Sequence, residues 1–409
     1  MNRAISRNRI VNRRVNMLSF AWLSNSLAYS IVYPFIPIYL HSERGFPMSQ
    51  VGLVFPIMGA GLMLGPAVSG FMVDRFGRQK VLYGGTFFRG LMFMIMAVMA
   101  WFDTSFWTFA AALFLSSFTG MFFQNAADAY LSDITTPAER PLAYSRIRIG
   151  TNIGWALGPM IGAFLARSPF SLLFAITGLT CFGISYFIRQ ACPETIKPCR
   201  KNKLTHLSEQ STWRILLSDK RLMLTGLCII VLYMLVSQLY STFSIYATGV
   251  AGISKNSLGF IYSVNGITVV LAQIPVSRLL SKIDLHKRLI MGSFLYVIGY
   301  YSIAFGDNCL YFMFSVALLT FGEIVAQPAL YSVISVMAPS GMLGRYMGVL
   351  GLTSGLGYAL GPYAGALMFE QWSDFPAGLW GGLSVFGIIA MFGFFILMRS
   401  QHRHKSVIA

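Results

Sequence analysis

Gly70-Phe71-Met72-Val73-Asp74-Arg75-Phe76-Gly77-Arg78-Gln79-Lys80 is a short charged turn set between two long apolar runs, residues 49–73 and 81–101. Each run meets the roughly 20 residues that a helix, rising about 1.5 Å per residue, needs to cross the hydrocarbon of a bilayer. Working outward in both directions adds ten more runs: 17–40, 106–132, 143–166, 170–190, 222–250, 257–280, 289–306, 309–337, 346–370 and 376–398. They are continuous rather than short and alternating, which predicts helices and not a barrel. The whole chain agrees. Of 409 residues 56% are hydrophobic and 11% charged, against about 25% charged in a soluble protein that must coat itself for water. Disordered, collagen-like, disulfide-scaffold and cytosolic-enzyme classes fit this composition poorly.

The basic residues assign the sides. The net charge is +17, and most Lys and Arg fall in the two termini and the even-numbered gaps: Arg3, Arg7, Arg9, Arg13 and Arg14; Arg75, Arg78 and Lys80; Arg140, Arg146 and Arg148; and a dense set around 189–221. Arg44, Arg167 and Lys255 stand on the other side. This asymmetry predicts cytoplasmic termini and accounts for the charge without nucleic acid; the membrane expected is the bacterial inner membrane. The five cysteines have no CxxC spacing and predict neither a disulfide frame nor a zinc site. The first apolar run is too long for a signal-peptide core and is read as a retained span. Only 191–221 is a long polar segment. It divides the chain into an N-terminal six-helix bundle (1–190), a cytoplasmic linker (191–221) and a C-terminal six-helix bundle with a short tail (222–409).

An internal repeat supports that division. Gly154-Trp155-Ala156-Leu157-Gly158-Pro159-Met160-Ile161-Gly162-Ala163 in run five matches Gly357-Tyr358-Ala359-Leu360-Gly361-Pro362-Tyr363-Ala364-Gly365-Ala366 in run eleven. Gly52 and Gly59 are echoed more weakly by Gly259 and Gly266. With Gly150, these small residues at four-residue spacing let helices approach closely in lipid. They predict a close-packed seam between the halves, bent where proline follows glycine.

The charged turn resembles the signature of the major facilitator superfamily, G-x-x-x-D-R-x-G-R-[RK], and lies between runs two and three, where that family places it. The resemblance covers nearly the whole chain. It implies an all-α membrane protein of twelve transmembrane helices in two pseudo-symmetric six-helix bundles. It also implies a secondary transporter, not an enzyme, monomeric and working by alternating access. The G-x-x-x-G-P-x-x-G pattern of run five and Pro34-Phe35-Ile36-Pro37 at the end of run one look like the drug/proton antiporters of that family. Two departures stand out. Run four has Ser116 before Thr119-Gly120, where the family often carries an arginine, and the second-half counterpart of the turn has become Ser277-Arg278-Leu279-Leu280-Ser281-Lys282. The resemblance implies a gating role for Gly70, Asp74, Arg75, Gly77, Arg78 and Asp133, with Asp74 capping run eleven and Arg78 reaching Asp133.

That family lines its cavity with runs one, four, seven and ten. Here those runs offer Asn25, Tyr29 and Tyr33 (one helix face at four-residue spacing), Gln124, Asn125 and Asp128, Tyr233, Gln238 and Tyr240, and Glu323, Gln327 and Tyr331. Ionisable groups inside a span are costly and mark function by default. Arg89, Asp128 and Glu323 are the three. Glu323, near the middle of run ten, is the first candidate for carrying protons and Asp128 the second; a structural pairing of Asp128 with Arg89 is the rival reading. Arg89 itself reads as structural, because run three lies outside the family's cavity. The four lining runs hold no Arg or Lys at mid-depth, which argues against phosphate-like substrates. Together these features predict proton-driven export of lipophilic or amphipathic small molecules, with no cofactor beyond the proton gradient. The rivals are transport of one metabolite, siderophore or lipid, or a sensor that transports nothing. Gly59-Ala60-Gly61-Leu62-Met63-Leu64-Gly65 lacks the lysine and following context of a nucleotide loop, and His402-Arg403-His404 reads as a solvated tail.

Overall fold

The computed structural model describes residues 2–102, 104–136, 139–166, 168–195, 218–339 and 342–408. The linker positions 196–217, with Cys199 and its lysines and arginines, and Arg167 therefore lie outside the described residues. Among the described residues there is no strand. Twelve long helices follow one another: α1 Asn2–Val32, α2 Met48–Phe76, α3 Arg78–Met99, α4 Phe106–Ile134, α5 Arg140–Leu165, α6 Phe170–Ala191, α7 Lys220–Val236, α8 Lys255–Leu279, α9 Leu285–Ser302, α10 Cys309–Met337, α11 Leu343–Trp372 and α12 Pro376–Ile408. Short 3-10 and π turns prolong α1 to Glu43 and α7 to Val250. Every apolar run of the sequence therefore corresponds to a helix, because a chain in lipid has to satisfy its backbone groups within each segment.

Nine of the described helices are long and apolar enough to cross a membrane. The others are α1, α5 and α11. In α5 and α11 glycine and proline replace bulkier apolar residues, a cost in hydropathy that the packing explains. The side chains of Ser105, Asp219, Ser254, Asp284 and Asn308 accept first-turn N–H groups of α4, α7, α8, α9 and α10, which start those helices at polar residues.

The chain forms two compact units, Met1–Phe46 with Ile57–Asn202, and Pro47–Pro56 with Lys203–Ala409. In the first unit α3 packs on α4 and α6, and α1 packs on α5. In the second, α9 packs on α10 and α12, and α7 packs on α11 and α12. The opening turns of α2 belong to the second unit, where the Ser49 N–H donates to Glu370 Oε1 at 2.8 Å.

The glycine repeat sits inside each unit, not at a seam between halves as the sequence reading expected. A Cβ at Gly150 would meet the Ser19 carbonyl at 2.8 Å, and one at Gly154 the Leu23 carbonyl at 2.7 Å. A Cβ at Gly357 would meet the Ile230 carbonyl at 2.6 Å, and one at Gly361 the Met234 carbonyl at 2.5 Å. Gly158 and Gly162 abut Ser30 and Ile31, while Gly365 abuts Gln238 and Thr242. The stripe thus seats α5 on α1 and α11 on α7, backbone against backbone. Ser30 Oγ donates to the Gly154 carbonyl at 2.9 Å, and Gln238 Nε2 donates to the Gly361 carbonyl at 2.8 Å. Pro159 and Pro362 lie within helices that continue on both sides of them.

Candidate transport sites

In the first unit α1, α2, α3, α4 and α5 enclose a cavity of about 200 Å³ whose lining includes Trp22, Asn25, Tyr29, Leu62, Arg89, Ser117, Gln124 and Trp155. Arg89 reaches it from α3. Its side chain is buried, Nη1 donates to Asn25 Oδ1 at 3.3 Å, and the guanidinium carbon lies 4.5 Å from the Tyr29 ring centroid. Gly120 on α4 makes room for it: a Cβ there would meet the guanidinium carbon at 3.3 Å. Tyr29 also packs on Tyr33, centroids 5.0 Å apart, and on Trp155 at 5.9 Å. Asn25 and Tyr29 of the α1 triplet therefore line the cavity, and Tyr33 packs against Tyr29 and Trp155. The lining draws on a helix, α3, that sequence reasoning had set aside; the signal for it was the arginine itself, a charge in mid-span.

Two cavity candidates point elsewhere. Asn125 turns its amide to α2, donating to Ser69 Oγ at 2.7 Å and to the Pro66 carbonyl at 3.2 Å. Gln238 is fully buried; besides the Gly361 carbonyl it bonds the Met234 carbonyl at 2.7 Å and accepts from Thr242 Oγ1 at 2.7 Å. All of its hydrogen-bonding capacity but one lone pair is spent holding α7 to itself and to α11, so it serves packing. Asp128 is only partly buried on α4, and no described residue ion-pairs with it. The suggested pairing with Arg89 is not formed.

In the second unit Glu323 lies half-buried near the middle of α10. Asn265 on α8, which the sequence reading did not single out, donates from Nδ2 to Glu323 Oε2 at 3.0 Å and to Thr320 Oγ1 at 2.9 Å. The phenols of Tyr233, Tyr240, Tyr296 and Tyr300 lie within electrostatic range of the carboxyl. Gln327 is one turn further along α10. Tyr331 is half-exposed and lies near Tyr233.

The charged turn is built from several segments of the first unit. Gly77 has φ +94°, a left-handed backbone conformation that L side chains avoid, and it lets the chain reverse from α2 into α3. Arg78 Nε pairs with Asp133 Oδ2 on α4 at 3.0 Å, and Nη1 contacts Asp74 at 3.5 Å. Asp74 is otherwise open to solvent, and Arg75 lies over the rings of Phe71 and Phe76. Gly70 has open space where a side chain would be. Glu194, just past α6, supplies what sequence reasoning missed. Its Oε1 accepts the Arg78 N–H at 3.0 Å and its Oε2 the Gln79 N–H at 3.1 Å, which caps the positive N-terminal end of α3. Thr195 Oγ1 adds a bond to Asp133 Oδ2 at 2.8 Å.

The family model described as Major Facilitator Superfamily matches residues 18–362 and 252–408. The chain belongs to the Major Facilitator Superfamily. As a member it is a membrane transporter. It is 24% identical over 377 residues to the multidrug resistance protein MdtH of Yersinia enterocolitica, covering 90% of each chain. The crystal structure of the nucleoside transporter NupG superposes with a TM-score of 0.78 at 13% identity, over 95% of this chain and 99% of that one. The crystal structure of the peptide transporter POT in complex with sulfate gives 0.75 at 14% identity, over 96% and 94%. These structures share the fold; their differing cargo leaves the substrate class of this superfamily member to its own residues.

Proposed function

We propose that the protein exports lipophilic or amphipathic small molecules in exchange for protons, by alternating access, in a bacterial inner membrane with both termini cytoplasmic. Glu323 carries the reading. A carboxyl in the middle of a membrane helix is expensive to keep charged, and here it accepts from a neutral amide, Asn265, amid four phenols. A neutral amide can hold either the ionised or the protonated carboxyl, so uptake and release of a proton leave this contact in place. Asp128 is the second candidate. The aromatic wall formed by Tyr29 and Trp155, with Tyr33 packed against both, suits a flat apolar cargo, and the multidrug relative supports the same substrate class.

The test is substrate flux in proteoliposomes under an imposed pH gradient, with Glu323→Gln as the variant. Gradient-driven transport is expected in the wild type and lost in the variant, while substrate exchange without a gradient persists. Full gradient-driven transport by the variant removes Glu323 from the mechanism.

A further inference from the structure

The cavity of the first unit is lined by groups that share one chemical deficit. Arg89 is 7% exposed, and its Nε has no hydrogen-bond partner. The Trp22 indole Nε1 and the Ser117 hydroxyl are likewise buried without partners, and all three residues line the same cavity. Asn25 spends its carbonyl oxygen on Arg89, which leaves its amide N–H groups as further donors. No described carboxylate lies within ion-pair distance of Arg89. Its contacts with Asn25 and the Tyr29 face solvate the cation but do not neutralise it. Gln124, Ser26 and Thr151 also line the cavity, but their oxygens are neutral, and a buried cation without a counter-charge calls for an acceptor that carries negative charge.

We propose that this cavity is an anion subsite, and that it takes the carboxylate of an amphipathic organic acid, with the apolar part of the ligand laid along Tyr29 and Trp155. A planar guanidinium matches a carboxylate through two parallel hydrogen bonds, and Ser117 and Trp22 supply further donors. The volume of about 200 Å³ is below the roughly 300–1,000 Å³ typical of pockets that enclose a whole drug-sized molecule. The cavity therefore holds the acidic head of a ligand and a short apolar stem. This deepens the proposed function, because it narrows the cargo within the lipophilic and amphipathic class, and it rests on the transport reading for its biological use.

The experiment uses the full chain in nanodiscs and three probes of one shape: 4-phenylbutanoate, its neutral amide and the corresponding amine. Calorimetric titration should give the acid at least tenfold tighter binding than the amide and little binding of the amine. Arg89→Gln should erase the preference for the acid. Should that variant fail to fold, the double variant Trp22→Phe with Ser117→Ala retains the charge and removes two donors. It should weaken the acid severalfold and leave the amide unchanged. Equal affinity for acid and amide in the wild type, or an undiminished preference in either variant, overturns the subsite. A parallel flux measurement on the wild type under a pH gradient separates the two readings. Acid binding without gradient-driven flux overturns the transport mechanism alone, and gradient-driven flux without a preference for the acid overturns the subsite alone.

Discussion

Replacing Glu194 tests whether the loop after α6 holds the charged turn together. The carboxylate accepts two first-turn N–H groups of α3, at 3.0 and 3.1 Å. A capping side chain is worth about 0.5–2 kcal/mol. Glu194 is exposed, so the lower half of that range applies, about 1 kcal/mol, or roughly fivefold in an opening equilibrium. Cys192 reports on it. Its thiol is fully buried two residues upstream, and burial raises its pKa from 9.0 to about 11. In a chain whose other cysteines are replaced by serine, maleimide labelling of Cys192 at pH 8 should rise about fivefold on Glu194→Ala. Gly77→Ala should do more, because its backbone (φ 94°, ψ 162°) lies in a region open essentially to glycine alone and costs another residue about 1–3 kcal/mol, and its methyl would displace Glu194. Part of that cost is the cap itself, so the double variant should fall short of the sum by about 1 kcal/mol. Unchanged labelling in Glu194→Ala, or strict additivity in the double variant, refutes the cap.

The same thiol supplies a pH prediction: protection of Cys192 is complete below about pH 9 and declines toward pH 11, because the loop-docked state favours the neutral thiol and loses that advantage once the free thiol ionises; a labelling rate that tracks only the thiolate fraction of a free cysteine contradicts it. Asp133→Asn removes the partner of Arg78 Nε and should lower thermal stability modestly, by up to about 1 kcal/mol for this partly exposed pair, as read by a melting curve in detergent. Asp74→Asn should abolish flux while membrane insertion is unaffected, since Asp74 contributes one long contact to the turn; wild-type flux would remove it from gating. Gly361→Ala should destabilise by about 1–3 kcal/mol, because α11 cannot approach the Met234 carbonyl with a methyl in the way; an unchanged melting temperature would show that the stripe is loosely packed.

The helices were legible because lipid leaves the chain little alternative, and the Arg78–Asp133 pair because the spacing of the resembled signature aims it. Other features depend on which way a side chain turns about its helix. Gln124 and Asn125 are neighbours in sequence, yet one lines the cavity and the other bonds to Ser69. Gln238 reads as a cavity residue by its helix and polarity, and only the close approach at Gly361 and Gly365 reveals it as a tie. Asn265 and Glu194 were invisible for a different reason: an asparagine on a helix not expected to line the cavity and a glutamate at the edge of a polar linker carry no pattern until tertiary contacts give them partners. Arg89 carried a signal, its charge, that was outweighed by the expected position of α3.

The internal repeat runs deeper than the glycine motif, and its differences are as informative as its identities. Ser30 faces Gly158 as Ser237 faces Gly361, so both units seat their helix pairs by the same contact. The symmetry extends to α3 on α4 and α9 on α10. A Cβ at Gly120 would meet the Arg89 guanidinium at 3.3 Å, and one at Gly322 would meet the Tyr296 ring at 3.0 Å. Gly120 clears space on α4 for the Arg89 side chain, while Gly322 brings α10 against the backbone of α9, where its Cβ would meet the Gly292 carbonyl at 2.8 Å beside the Tyr296 ring. The neighbour is a cation in the first unit and a phenol in the second, near the carboxyl of Glu323, which directly follows Gly322 in sequence. One scaffold thus carries an arginine in one copy and, beside the corresponding position, a carboxyl in the other; on the reading proposed above, the first takes an anionic cargo and the second a proton. Exchanging the occupants, Arg89→Tyr with Tyr296→Arg, should leave the helix packing intact, since both positions already bury a long side chain. It would place the cation next to Glu323, where an ion pair would hold the carboxyl in its charged form. Proton-driven flux should then be lost while the protein still inserts and melts cooperatively. Flux that survives the exchange would mean that neither the arginine in the first unit nor the titration of Glu323 in the second is needed for transport.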